Sequence, residues 1–326
     1  MAKKNEPAHE EEQKKPENEA QQQQAVKHGR RRLVSARGKE HQAAPIPKGI
    51  LLAIGGKEDK GEQDLKEEQK RNTDFESYEI LKYFTSELKG SNPLIVVVPT
   101  ASSVPAAIAQ DYIKAFKEIG YTNVEVLDIR SRQDANKPEF VELVERAAGI
   151  MFPGGDQLRL TAILGGSQVL QLMKERYTYD EGFIVAGTSA GATAMSTPMI
   201  YEGETQGGYI KGDVRITTGL EFMKNVAIDT HFIQRGRIVR MSQAIATNPG
   251  CIGIGLEEDT AICVERGKDI RVLGSGLVTI VDGLDITTTN IYDIKTGEPF
   301  SVRDMRVHLL APGDTYVLPF YDQLHI

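Results

Sequence analysis

The chain has 326 residues, of which 40% are hydrophobic and 26% are charged, and its formal net charge is -7. This composition is typical of a globular protein, and the acidic balance excludes the broad basic face with which proteins bind nucleic acid. No apolar run reaches the ~20 residues that span a bilayer, so we expect no membrane segment. The two cysteines, Cys251 and Cys263, are expected to be buried thiols; neither has metal-ligand spacing around it, and no metal or cofactor is predicted.

The first part of the chain differs in composition from the rest. Residues 1–47 consist mainly of Lys, Glu, Gln, Pro and Ala, with four consecutive glutamines at 21–24. Such a segment buries too little apolar surface to offset chain entropy, so we predict a disordered polar tail over 1–47 and a folded domain over 48–326. The basic residues at 30–32 are followed by no apolar segment, which argues against a signal peptide and predicts cytoplasmic residence.

Apolar runs of strand length alternate with helical patterns in the next part of the chain. The predicted strands lie at 49–54, 94–100, 124–129, 149–152 and 183–186, and the predicted helices at 75–84, 106–119, 139–148, 158–164 and 169–176. This alternation predicts right-handed crossovers and a mostly parallel sheet with helices on both faces. Ligands bind beyond the carboxyl ends of such strands. The turns at that edge follow Ile54, Val98, Phe152 and Ala186.

The second part of the chain is richer in strands. Glycine and threonine become frequent after Ile200, and strands are predicted at 262–264, 270–273, 277–281 and 306–310. Because helices also become fewer there, we expect a more antiparallel second half. Because no linker separates the two parts, we predict one domain with a strand-rich C-terminal part.

A nucleophile-like turn follows the strand at 183–186. The sequence there is Gly-Thr-Ser-Ala-Gly, centred on Ser189 and followed by small residues that suit a helix. A strand, a sharp turn with a central serine and a helix are typical of the nucleophile elbow. The alternative is a closely packed turn without chemistry. Two backbone amides would have to stabilise an oxyanion; Ala190 is one natural donor, and Gly155, in the turn Phe-Pro-Gly-Gly-Asp-Gln, is the candidate for the second.

A reactive serine needs a base and an orienting acid. Four of the six histidines lie in the polar tail or beside the C-terminus, which leaves His231 and His308. His308 lies inside an apolar strand pattern and is expected to be structural, whereas His231 follows a strand end and is the better base. The sequence leaves the acid open among Asp229, Glu257, Glu258 and Asp259.

Three arginines follow His231. Arg235, Arg237 and Arg240 lie in a predicted helix over 232–241, and the last two are three residues apart, on one face of that helix. Arginine pairs bidentately with carboxylates, so this cluster predicts a substrate that carries free carboxylates. The alternative is a solvated basic helix face.

Taken together, these motifs resemble the cyanophycinase family, a serine-peptidase family that also contains α-aspartyl dipeptidase. The residues that carry the resemblance are Phe-Pro-Gly-Gly-Asp-Gln, Gly-Thr-Ser-Ala-Gly-Ala, Asp-x-His-Phe with Arg-x-Arg-x-x-Arg, and Glu-Asp-Thr-Ala, in that order. The resemblance extends from about Gly49 to the C-terminus. One departure is Thr230, which stands where the family pattern has glutamine and changes the hydrogen bonds available in the pocket.

The resemblance implies a class I glutamine-amidotransferase-like (flavodoxin-like) α/β fold with a Ser-His-Glu triad. Ser189 would be the nucleophile, His231 the base and Glu258 the acid. The residues implied to line the substrate pocket are Gln157, Asp229, Thr230, Arg235, Arg237 and Arg240. No metal or cofactor is implied, and a homodimer is suggested.

The substrate implied by the resemblance is cyanophycin, a poly-aspartate backbone with arginine on its side-chain carboxyls. Hydrolysis of the backbone through an acyl-enzyme would release β-Asp-Arg dipeptides. The alternatives are a related aspartyl dipeptidase or isopeptidase and a non-catalytic binding protein on the same fold.

Overall fold

The computed structural model describes residues 45–203 and 208–319. The polar tail predicted at 1–47 lies outside these residues except for its last three positions, and His325 lies outside them as well. None of the described helices is long and apolar enough to cross a membrane.

Helices occur mainly in the first half of the described chain. In chain order they are α1 (Glu67–Arg71), α2 (Glu79–Ser86), α3 (Pro105–Glu118), α4 (Pro138–Arg146), α5 (Gln157–Leu164), α6 (Gln168–Tyr179), α7 (Ala190–Ala194) and α8 (Ile238–Thr247). The strands of the first half are β1 (Ile50–Ile54), β2 (Ile95–Val97), β3 (Val124–Val126), β4 (Gly149–Phe152), β5 (Ile184–Thr188), β6 (Ser196–Thr197) and β7 (Met199–Glu202).

Strands dominate the second half. They are β8 (Arg215–Thr217), β9 (Met223–Lys224), β10 (Val226–Thr230), β11 (Ile252–Leu256), β12 (Thr260–Glu265), β13 (Asp269–Gly274), β14 (Val278–Asp282), β15 (Thr288–Thr289), β16 (Val302–Arg303), β17 (Arg306–Leu310) and β18 (Thr315–Val317).

The larger sheet has eight strands in the order β18-β13-β12-β1-β5-β4-β2-β3. The last five of these run parallel, while β12, β13 and β18 join antiparallel beside β1. In β1, Leu51 and Ala53 belong to one hydrophobic cluster, and Leu52 and Ile54 belong to a second one. Because successive side chains of a strand point to opposite faces, both faces of this sheet are covered. The predicted α/β class with a mostly parallel sheet is confirmed.

A second sheet of six strands, β17-β14-β11-β10-β6-β9, was not predicted as a separate layer. Its central strands β10 and β11 are parallel, so their carboxyl ends meet at one edge. The backbone joins that edge to the carboxyl end of β1, because His231 N–H donates to Gly55 O at 3.1 Å. The carboxyl end of β1 in the larger sheet therefore lies next to the carboxyl ends of β10 and β11 in the second sheet.

The predicted helix over 232–241 is wrong in its first half. Residues 231–237 form turns, and α8 begins only at Ile238 with Arg237 as its N-cap. His231 and Gly236 have φ values of +48° and +60°, in the left-handed region that interrupts a right-handed helix. The sequence pattern missed this break because the three arginines have helix-compatible spacing.

Candidate active site

Ser189 lies at the turn between β5 and α7, at the carboxyl edge of the larger sheet. Its backbone has φ +52° and ψ -116°, a strained conformation for a residue with a side chain. The turn is fixed to the neighbouring strand because Ser189 N–H donates to Ile54 O at 3.0 Å. The strand, sharp turn and helix predicted around this serine are all present.

Ser189, His231 and Glu258 form one line of contacts. Ser189 Oγ lies 3.0 Å from His231 Nε2, and His231 Nδ1 lies 2.7 Å from Glu258 Oε1. The side chains of His231 and Glu258 are only 8% and 9% exposed. This geometry suits proton transfer from a hydroxyl to an imidazole that is oriented by a carboxylate.

His231 is positioned by the end of β10 and by Gly56 in the turn that follows β1. A Cβ atom placed on Gly56 would lie 2.5 Å from His231 Cε1, so the imidazole packs directly against the backbone there. Any side chain at position 56 would displace the ring. The other candidate base, His308, lies on β17 opposite Ile280, and its ring contacts Tyr316 with centroids 5.8 Å apart.

Glu258 lies in the three-residue link between β11 and β12. The link is held to the turn that follows β1, because Asp259 N–H donates to Gly56 O at 2.9 Å. The neighbouring acids are engaged elsewhere: Glu257 Oε2 accepts from Leu277 N–H, and Asp259 accepts from Asp59 N–H and Ser275 Oγ. Of the candidates left open by the sequence, Glu258 is therefore the one that contacts His231.

The protonation of this pair follows from its surroundings. Burial lowers the pKa of His231, and the charges of Arg235 and Arg237 act in the same direction, while the hydrogen bond with Glu258 opposes them only in part. Burial alone would raise the pKa of Glu258, but hydrogen bonds from Lys57 and His231 outweigh it and lower that pKa. Near neutral pH, the imidazole is therefore neutral and the carboxylate ionised.

Asp229 holds two of the three arginines. It is buried and accepts hydrogen bonds from Arg240 Nε at 2.6 Å and from Arg237 Nη1 at 2.9 Å. Arg240 is itself buried and also donates to Gly203 O. Arg235, in contrast, lies exposed on the turn after His231. One carboxylate thus faces two guanidinium groups, so this cluster, next to His231 in the chain, carries a net positive charge.

The turn after β4 adjoins the serine. A Cβ atom on Gly154 would lie 3.3 Å from Ser189 Cβ, and the next residue, Gly155, has φ +148°. Asp156 caps α5 by accepting from Leu158 N–H at 2.8 Å, so its carboxylate is engaged there. Gln157 Nε2 donates to Ile200 O at 3.3 Å.

Thr230 is buried at the end of β10, beside Asp229. Its N–H donates to Asp229 Oδ1 at 2.9 Å, and its carbonyl oxygen accepts from Arg237 Nη1 at 2.7 Å. Thr230 therefore contributes backbone groups to the acid–arginine cluster.

Two site residues, Lys57 and Glu58, were missed by the sequence reasoning. Glu58 is buried, accepts from Thr188 Oγ1 at 2.5 Å and also accepts from Tyr112 Oη, so it supports the residue that precedes the serine. Lys57 Nζ lies 2.9 Å from Glu258 Oε1. The available signal was their position in the glycine-containing turn after β1, at the edge where ligands were expected.

Known proteins resemble this chain over most of its length. The profile of peptidase family S51 matches residues 69–273. A cyanophycinase from Synechococcus elongatus is 35% identical over 278 residues, which cover 85% of this chain and 82% of the relative. A cyanophycinase from Nostoc sp. (strain PCC 7120 / SAG 25.82 / UTEX 2576) is 35% identical over 285 residues, 87% of this chain and 91% of the relative.

A solved structure supports the fold. The crystal structure of a peptidase from an acI-B1 Actinobacterium has a TM-score of 0.59 and 23% identity with this chain, and the match covers 84% of this chain and 98% of that one.

Proposed function

The chain belongs to peptidase family S51 and is a serine-type peptidase, and we propose that it hydrolyses cyanophycin to β-Asp-Arg dipeptides. The relatives that bear the name cyanophycinase support the choice of substrate. The observation that carries the proposal is the contact line of 3.0 Å and 2.7 Å from Ser189 through His231 to Glu258.

Ser189 is the proposed nucleophile. Its hydroxyl attacks the carbonyl carbon of the scissile peptide bond while His231 Nε2 takes the proton, and the imidazolium then gives that proton to the leaving amine. Glu258 accepts from Nδ1–H, which fixes the tautomer that leaves Nε2 free to act as a base. Water, activated by the same imidazole, hydrolyses the acyl-enzyme.

The backbone amides of Ala190 and Gly155 are the proposed oxyanion donors. Ala190 is the first residue of α7, so its N–H has no partner within that short helix. The turn approaches the serine closely because Gly154 has no Cβ atom, and the next residue, Gly155, is proposed to deliver the second amide. Two amides aimed at a developing negative charge stabilise it strongly in a site shielded from water.

The arginines give the proposed selectivity for an acidic backbone. Arg235 is exposed and is proposed to pair with a substrate carboxylate. Arg237 and Arg240 share Asp229, so their role is to keep the wall of the pocket positive rather than to grip the substrate with free guanidinium groups. Gln157 and Thr230 are proposed to line the same pocket, where the shorter Thr230 leaves more space than glutamine would.

Incubation with cyanophycin, followed by mass determination of the products, tests this proposal. We expect β-Asp-Arg from the parent protein and none from Ser189→Ala, while Ser86→Ala, an exposed serine on α2, serves as the matched control. Covalent labelling by a fluorophosphonate is expected for the parent and for Ser86→Ala only. A protein that is labelled and cleaves Asp-X dipeptides but not the polymer would be an aspartyl dipeptidase, and one that is never labelled would be a binding protein.

Cytoplasmic residence, a homodimer and the lack of a nucleic-acid partner remain predictions from the sequence. Fractionation of cells that express the protein and light scattering of the purified protein would test the first two.

A further inference from the structure

Glu258 contacts a cationic side chain in addition to the imidazole of His231. Lys57 Nζ lies 2.9 Å from Glu258 Oε1, the same oxygen that is 2.7 Å from His231 Nδ1. The ammonium group and the imidazole are therefore neighbours across a single oxygen atom. The side chain of Lys57 is 58% exposed, so its ammonium group reaches this oxygen from the solvent side of the site.

The backbone at Lys57 is in a conformation that glycine would adopt without cost. Its φ is +49°, directly after two glycines at 55 and 56, and its carbonyl oxygen is held by Lys66 Nζ at 2.6 Å. A lysine in the left-handed region is disfavoured unless its side chain contributes something that glycine cannot. At Lys57, that contribution is the ion pair with Glu258.

We infer that Lys57 is a positioning residue that tunes the Glu258–His231 pair, drawing carboxylate charge away from the imidazole so that His231 stays neutral and able to accept a proton in mildly acidic solution. The inference rests on the proposed roles of Ser189 and His231. It extends the site beyond the triad to a residue of the β1 turn.

The sign of the effect follows from the charges that face the imidazole. Glu258 favours the protonated ring, whereas Arg235 and Arg237, on the turn after β10, disfavour it. Lys57 adds a positive charge beside the same oxygen of Glu258 and weakens the one interaction that favours protonation. Removing that charge should make His231 easier to protonate. Solvent screens an exposed lysine, so we expect a shift of about half a pH unit.

The test compares Lys57→Met, Lys57→Arg and Lys57→Gly with the parent protein. The rate at which a fluorophosphonate labels Ser189 is measured from about pH 5 to about pH 9, because this rate requires neutral His231 whatever the natural substrate is. Lys89→Met is the control: Lys89 is 63% exposed and pairs with Glu181 instead of the triad. An NMR titration of the imidazole proton of His231, assigned with His231→Ala, gives the same midpoint without any reaction.

The pH midpoint of the labelling rate and the pH midpoint of the NMR titration are both expected to rise by about half a pH unit in Lys57→Met and Lys57→Gly. In Lys57→Arg and Lys89→Met, both are expected to stay at the parental value. Lys57→Gly should also unfold at the same or a higher temperature than the parent, because glycine relieves the backbone. Parental midpoints in Lys57→Met and Lys57→Gly, or an equal shift in Lys57→Arg, would overturn the inference. A parent protein that is never labelled would instead refute the proposed function. The NMR titration would still test whether Lys57 lowers the pKa of His231.

Discussion

The sharpest prediction concerns Glu258→Gln, which removes a charge and preserves the shape of the side chain. Glutamine can still accept from His231 Nδ1–H through its oxygen, so the tautomer and the fold should survive. What is lost is the negative charge 2.7 Å from a ring nitrogen that becomes positive during the reaction. The variant therefore isolates the electrostatic part of the role proposed for Glu258.

The geometry sets the size of the effect. Two unit charges separated by 2.7 Å interact by about 6 kcal/mol at an effective dielectric constant of about 20. Lys57 shares the same oxygen, and the charge is spread over two oxygens, so about half of that energy is available to the imidazolium. At about 1.4 kcal/mol per tenfold, we expect kcat/KM to fall by about two orders of magnitude.

Glu257→Gln is the matched control for this variant. Glu257 is the adjacent residue, is buried to a similar degree, and directs its carboxylate to Leu277 N–H instead of His231. Both variants lose one negative charge from the same link. Activity against cyanophycin and the rate of fluorophosphonate labelling are measured for both, with thermal unfolding as a check of the fold. A Glu258→Gln protein that keeps more than about a tenth of the parental rate, or an equal loss in Glu257→Gln, would contradict an electrostatic role for Glu258.

Three further outcomes follow from the same geometry. Burial lowers the pKa of His231, so kcat/KM should fall with decreasing pH only below the usual range of histidine pKa values. A pH profile of kcat/KM measures this, and an acidic midpoint above about pH 6.5 would contradict it. Asp229→Asn leaves the guanidinium groups without their charged partner and should lower the free energy of unfolding by about 3–5 kcal/mol in denaturant titrations. Asp269→Asn, whose partner Arg266 is exposed, should lower it much less, and similar losses would argue against a buried cluster. Arg235→Ala should raise KM for cyanophycin by about tenfold, and an unchanged KM would remove Arg235 from the substrate site. Serine labelling should not slow above about pH 8, where His231 is neutral with or without the Arg235 charge.

The parts of the fold that could be predicted are those with local sequence signals. β1, β4 and β5 are continuous apolar runs because both faces of the sheet are covered, and such runs stand out between helical patterns. The elbow at Ser189 was visible for the same reason, since the strand, the turn and the helix are adjacent in the chain. The carboxyl edge of the sheet then followed from the parallel topology.

The parts that could not be predicted depend on pairing between distant segments. β12 lies antiparallel beside β1, while β11, only three residues earlier, belongs to the second sheet. No local pattern shows such a change of sheet. Glu58 supports Thr188 from 130 positions away in the chain, so its role cannot be inferred from the local sequence.

The arginine cluster shows a different limit. The arginines were expected to pair with carboxylates of a substrate, but the partner of Arg240 in the structure is Asp229, within the same segment. Sequence spacing gives no indication of whether an arginine is directed to a substrate or to an internal acid. The left-handed backbone at His231, which redirects the chain toward that acid, also carries no signal in the residue type.

The link from β11 to β12 has a consequence for how the chain can vary in length. Three residues cross from one sheet to the other, and strands anchored in opposite layers flank them, so an inserted or deleted residue would force one strand out of register. The hairpin between β12 and β13 has no such constraint, because both of its strands lie in one layer and Glu265 and Arg266 are exposed at its tip. Engineered loops and tags therefore belong at that hairpin, and a library that varies loop lengths should leave positions 257–259 untouched.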